Sequence, residues 1–207
     1  VFLSGEDEGD AELVVFPPTR GERMALARAT KSPNLSEHFG IAVMVFSDDT
    51  YDALMREIQD GGELGRSPEM GLLIEKNWND VVRNLTTSFL VRLLEDTVSA
   101  AGPAEGFFFC TLRGDQLGNF DILYDRRRTE QILIGKVGER RGVQYFDTWT
   151  SFPSRSFRNK ARTAAPDAFT LSNFRLNATL NTDLTLAVTT KVTLTPTRDG
   201  LRVAEFL

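Results

Sequence analysis

Apolar positions along the chain follow two periods, and the change falls near Phe107. Before it, helical stripes alternate with short extended runs; beyond it, the spacing is that of strands. Val1–Leu3 and Leu13–Phe16 flank an acidic stretch from Gly5 to Asp10 and predict a hairpin. Pro17 and Pro18 end the second run. Thr19 and Glu22 have capping-box spacing, so a helix is expected to about Thr30, stopped by Ser32, Pro33 and Asn34. Ile41–Phe46 is continuously apolar and predicts a buried strand. Asp48, Asp49 and Thr50 offer N-cap oxygens to a helix with Tyr51, Leu54, Met55 and Ile58 on one face, ended by Gly61 and Gly62. Capping explains the two aspartates more simply than a cation loop, which needs more oxygens than this loop supplies.

A third helix opens at Ser67 and Pro68, and its stripe runs from Met70 through Trp78, Leu85 and Phe89 to Val98. Thr86, Thr87 and Ser88 mark the expected kink, because their hydroxyls compete for backbone hydrogen bonds. Strands are then expected at Phe107–Leu112 and Phe120–Tyr124, joined across Gly114–Gly118. A second pair is expected at Gln131–Val137 and Val143–Phe152, joined across Gly138–Gly142. Residues 153–166 are polar and basic and read as a linker. Phe169–Leu180, Leu184–Leu194 and Leu201–Leu207 predict three more strands. The fold class expected is α+β. A mixed module of antiparallel strands with about three helices spans 1–152, and the first strands of an antiparallel β domain span 167–207. The apolar runs at both ends read as truncations, so a piece of a larger, multi-domain protein is expected.

Charge and composition narrow the function. The net charge is -5 and the isoelectric point about 5.1. Nucleic-acid binding is not expected, since phosphate recognition needs a basic excess. No apolar run approaches the ~20 residues of a membrane-spanning helix. A chain of 207 residues can bury a core without disulfides, which suits a single cysteine, Cys110, placed between Phe109 and Thr111. With no cation beside it, that thiol reads as buried and inert rather than nucleophilic.

The single histidine, His38, excludes a His-Glu-x-x-His zinc site within the chain, which needs two imidazoles one helical turn apart. Glu37 and His38 could form a ligand or acid/base pair, but a surface loop histidine before the strand is the simpler reading. Neither a Gly-x-Gly-x-x-Gly fingerprint nor a phosphate-binding loop occurs. The 29 acidic residues single out no carboxylate pair of the kind a glycosidase requires. No catalytic, cofactor-binding or metal-binding residue is therefore assigned. The candidate interface residues are Arg126, Arg127 and Arg128, then Arg155, Arg158, Lys160 and Arg162. Solvated loops are their default reading. The second group falls in the expected linker, which makes a domain interface its functional one. Asn34, Asn84 and Asn177 head glycosylation-type triplets too short to carry weight.

Several segments form a series: Gly5–Glu6 with Phe16–Pro18, Glu22–Arg23 with Leu26, Thr30–Pro33, and Phe46–Tyr51. It continues with Arg128–Gln131, Phe146–Trp149, Phe174–Leu180, Leu184–Leu194 and Gly200–Val203. The series covers most of the chain and resembles the N-terminal, non-catalytic region of bacterial aminopeptidase-N-like zinc metallopeptidases. The resemblance implies a β-rich region ahead of a thermolysin-like catalytic domain, which would hold zinc through His-Glu-x-x-His and a downstream Glu. Those motifs, and the Gly-x-Met-x-Asn exopeptidase motif, are absent here, so no zinc ligand or catalytic residue carries over. Zinc is implied only for the missing domain, and no cofactor for this chain. The resemblance also implies that the segment from Phe169 begins the β domain that packs on the catalytic domain, in a periplasmic or secreted protein. The α+β part is not typical of the well-known aminopeptidases. The partner implied is the downstream domain of the same polypeptide. The residues alone also allow a binding or assembly module, with another protein or a second copy as partner.

Overall fold

The computed structural model describes residues 2–3, 11–60, 72, 76, 82–98, 106–159, 169–197 and 199–203. The elements in chain order are β1 (Phe2–Leu3), β2 (Ala11–Val15), α1 (Arg20–Thr30), β3 (Leu35–Phe46) and α2 (Thr50–Asp60). They continue with α3 (Arg83–Ser88), α4 (Leu90–Thr97), β4 (Phe107–Gly114), β5 (Gly118–Asp125), β6 (Ile132–Arg140) and β7 (Val143–Phe152). The last are α5 (Arg155–Asn159), β8 (Phe169–Leu180) and β9 (Leu186–Pro196). The first seven strands form one antiparallel sheet in the order β1-β3-β4-β5-β6-β7, with β2 also on β3. β8 and β9 form a separate two-stranded sheet. The chain is thus α+β with antiparallel strands, as expected.

The expected N-terminal hairpin is corrected. β1 and β2 do not pair with each other; each pairs antiparallel with β3, Leu3 opposite Ile41 and Ala11 opposite Phe39. β3 is 12 residues long, enough for both short strands to lie end to end along its edge. β2 also gains by placing Leu13 and Val15 beside the buried Leu35. His38 accordingly sits in a strand and not in the loop that was expected.

The apolar run of β3 has two causes. Helices cover both faces of the sheet. Leu26 of α1 packs with Leu35, Ala42, Cys110, Leu112, Phe120, Ile134 and Trp149. Val82 beside α3, Leu85 of α3, Phe89 between the two helices and Leu93 of α4 pack with Phe107, Phe109, Leu123 and Leu133 on the other face. The second cause is a bulge between Phe39 and Ile41. An extra residue inverts the alternation of side chains, so Leu35 and Phe39 face α1 before it and Ala42 and Met44 after it.

Local chemistry sets the boundaries. Thr19 accepts from the Glu22 amide at 3.3 Å and Glu22 accepts from the Thr19 amide at 2.7 Å, the reciprocal capping box expected for α1. The Asp48 carboxyl accepts from the Thr50 amide at 3.1 Å, a side-chain turn just ahead of α2. Much of the expected third helix lies outside the described residues. Its break falls at Phe89, one residue past the hydroxyl run, whose Thr86 and Thr87 donate back to the Arg83 carbonyl at 3.0 and 2.8 Å. The β6–β7 turn is tighter than expected: Arg141 (φ 55) and Gly142 (φ 78) form the two-residue loop, with Arg140 opposite Val143. Gly138 is a strand residue instead, and a Cβ there would lie 2.6 Å from the Tyr145 ring. Leu201–Val203 are not in a strand, and residues 204–207 lie outside the described residues.

Candidate functional site

Two polar clusters sit on the face of the sheet covered by α3 and α4. The first clamps α4 to the ends of β4 and β5. Ser47, just past β3, accepts from the Phe107 amide at 2.8 Å and donates to Asp96. Arg92 pairs with Asp96 one turn along α4 and reaches Asp125 at 3.2 Å, its guanidinium 5.3 Å from the centre of the Phe107 ring. Arg127 bridges Glu95 and Asp96 at 3.0 Å each, and the Asp125 carboxyl accepts from the Arg127 amide at 3.1 Å. Burial alone would lower the pKa of Arg92, but Asp125 and Asp96 outweigh it and raise the pKa overall. Every group in this cluster meets an opposite charge or a donor. That is the arrangement of a structural clamp.

The second cluster lies deeper. Asp121 of β5 accepts from the Thr111 hydroxyl of β4 at 2.6 Å and from the Asn84 amide of α3. Burial pushes its carboxyl up to about 6, against the opposing pull of the Thr111 and Asn84 hydrogen bonds. The Cys110 thiol is pushed up to about 12 by burial and by the Asp121 charge. It is therefore a neutral core group at physiological pH, in keeping with the inert reading.

The remaining sequence candidates are dispersed. His38 is exposed on β3, opposite Glu12 of β2, which accepts from Ser36. Of the first arginine group, Arg127 is held in the clamp while Arg126 and Arg128 are exposed. Arg155 and Arg158 are exposed on α5, and Lys160 and Arg162 lie outside the described residues. Gln131 ties the two arginine groups to one end of the sheet. Its amide nitrogen reaches the Arg126 carbonyl at 3.4 Å, and its oxygen accepts from the Ser154 amide at 3.2 Å. Ser154 then starts α5, its carbonyl accepting from the Arg158 amide at 3.0 Å. The first residues of the expected linker are thus an anchored helical turn. Asn84, at 1% exposure, is closed to any glycan.

β8–β9 carries a different kind of surface. Its strands alternate, with Leu171, Leu176, Ala178 and Leu180 opposite Leu194, Thr190, Val188 and Leu186. Leu176, Leu180 and Leu186 are 65%, 68% and 63% exposed. Leu184 caps the tip at 83% exposure, in the left-handed conformation (φ 65).

Sequence reasoning missed Asp121 and met Asn84 only as the head of a glycosylation-type triplet. The one available signal was a carboxylate set among Phe120, Ile122 and Leu123 in an otherwise apolar strand. Among the described residues, no three His, Cys, Asp or Glu side chains converge to hold a metal ion, so these residues do not fit a zinc site. Among the same residues, no helix is long and apolar enough to cross a membrane. No protein-family model, curated protein or solved structure matches this chain.

Proposed function

We propose that this chain is a non-catalytic accessory region of a larger protein resembling the zinc aminopeptidases, and that β8–β9 packs on a catalytic domain outside the chain. The observation that carries this reading is the apolar face of the hairpin. A two-stranded ribbon is marginally stable alone and needs further strands or a cover over its apolar face. Exposed leucines concentrated on one ribbon mark an interaction surface. On this reading the hairpin begins an antiparallel β domain that other strands complete. Among the described residues, the buried Asp96, Asp121 and Asp125 hold helices on the sheet and the buried Glu37 holds the β4–β5 turn, which suits a supporting role.

The test is made on the full product of the reading frame that contains this chain. Bound zinc and aminopeptidase activity are measured, then measured again after Leu180→Asp with Leu186→Asp. The expected result is a zinc enzyme in which the double substitution exposes the hairpin to limited proteolysis and lowers activity without removing zinc. A full-length product with no zinc and no peptidase activity refutes the peptidase reading. A binding or assembly module is the second reading, favoured by the exposed Arg126, Arg128, Arg155 and Arg158 around one anchored corner.

A further inference from the structure

Asp121 is an unusual group to find under a helix. It is 5% exposed on the sheet face that otherwise packs Phe109, Leu123 and Leu133. The groups facing it are Asn84 from α3, Thr111 from β4 and Gly135, its register partner on β6. The nearest titratable neighbour along β4 is the Cys110 thiol, and Arg83 adjoins Asn84 on α3. Among the described residues, no lysine or arginine pairs with the Asp121 carboxylate; Arg92 and Arg127 are engaged further along, at Asp125, Asp96 and Glu95.

Donors and acceptors at Asp121 and Asn84 do not match. An ionised carboxylate only accepts. Thr111 and Asn84 donate to its two oxygens, and the Asn84 Oδ1 is left buried with no hydrogen-bond partner. Orphaned acceptors at that depth are uncommon in native proteins. One proton from solvent removes both problems. A protonated carboxyl can donate its O–H to an amide oxygen while its other oxygen accepts the amide N–H, and a pair of that kind leaves neither an orphaned acceptor nor a buried charge.

We propose that Asp121 and Asn84 form a proton-operated latch that fastens α3 to the sheet in mild acid and loosens it toward alkaline pH. The latch acts on the docking of α3, and through the short break at Phe89 on α4. The burial that raises the Asp121 carboxyl to about 6 from 3.8 puts the switch within reach of ordinary pH changes.

The test is amide hydrogen exchange of residues 83–97, corrected for the intrinsic pH dependence of exchange and referenced to β4 and β5. Protection of the helices should fall roughly tenfold between about pH 5 and about pH 8, as expected for a carboxyl with these two titration points. D121N keeps a paired amide without a charge, so its protection should be flat over the same range and no lower than that of the native chain in acid. Native protection that is flat or rises with pH overturns the latch, as does a D121N slope equal to the native one. If D121N does not fold, the carboxyl-carbon NMR titration of Asp121 decides. A midpoint near 6, with the Asn84 side-chain amide signals moving together, supports the latch. A midpoint near 3.8, or Asn84 signals that do not move, overturns it.

Discussion

Glu37 and Gly114 offer a sharp test of how the sheet is held at its β3–β4 end. Glu37 is buried at 2% exposure, and its Oε1 accepts from the Gln116 and Leu117 amides at 2.6 and 2.9 Å, tying the β4–β5 turn to β3. Gly114 leaves room for that carboxyl: a Cβ there would lie 2.8 Å from Glu37 Cγ and 2.9 Å from Cδ. Its φ is not positive, so alanine suits the backbone, and the nearest obstacle to it is Glu37. Hydrogen bonds to a charged group contribute about 1.5–3 kcal/mol each. Displacing Glu37 puts both at risk, but the turn amides can still meet water. Gly114→Ala should therefore destabilise the native chain by about 2–3 kcal/mol, and Glu37→Ala by a similar amount. In the Glu37→Ala background the clash is gone, and Gly114→Ala should instead stabilise by about 0.5–1 kcal/mol through reduced freedom of the unfolded chain. Chemical denaturation of the four proteins gives the coupling energy, expected at about 3 kcal/mol. Additive effects within about 0.5 kcal/mol would refute the reasoning, because Gly114 would then be needed for something other than the space that Glu37 fills.

Other outcomes follow from the same geometry. Cys110, with its pKa near 12, should not react with a thiol reagent at about pH 8 in the folded chain; rapid labelling without denaturant would contradict its placement in the core. Arg92→Met should cost about 1.5–3 kcal/mol in denaturant melts, because Asp125 loses its guanidinium partner while Asp96 keeps Arg127 and Ser47, and a loss below 1 kcal/mol would mean that the clamp is dispensable. Leu184→Gly should stabilise the isolated chain by about 0.5–1 kcal/mol, because a left-handed leucine is strained; a lower melting temperature would show that the leucine is already packed. Stability should rise as pH falls from neutral to about 4. Asp121 titrates higher folded than unfolded, so its contribution is complete below 3.8 and is lost as pH rises through about 6; calorimetry over that range should find this trend in the native chain and lose it in D121N.

What the sequence by itself determined was local. The capping box and the proline pair place α1 without reference to any other element, because the groups involved are three residues apart or fewer. The β4–β5 strands were legible for the same reason, since alternation and glycine turns are short-range signals. The destinations of β1 and β2 were not, because pairing depends on which edge is open, and β3 offered one long enough for both. The bulge at Gly40 hid which face each residue of β3 would take, since a single extra residue inverts the pattern without altering the apolar composition. Asp121 stands at the limit of sequence reading. Alone it is an aspartate in a strand; its role follows from a helix residue 37 positions earlier that meets it through space, and only the tertiary structure could bring those two polar groups together and shut water out.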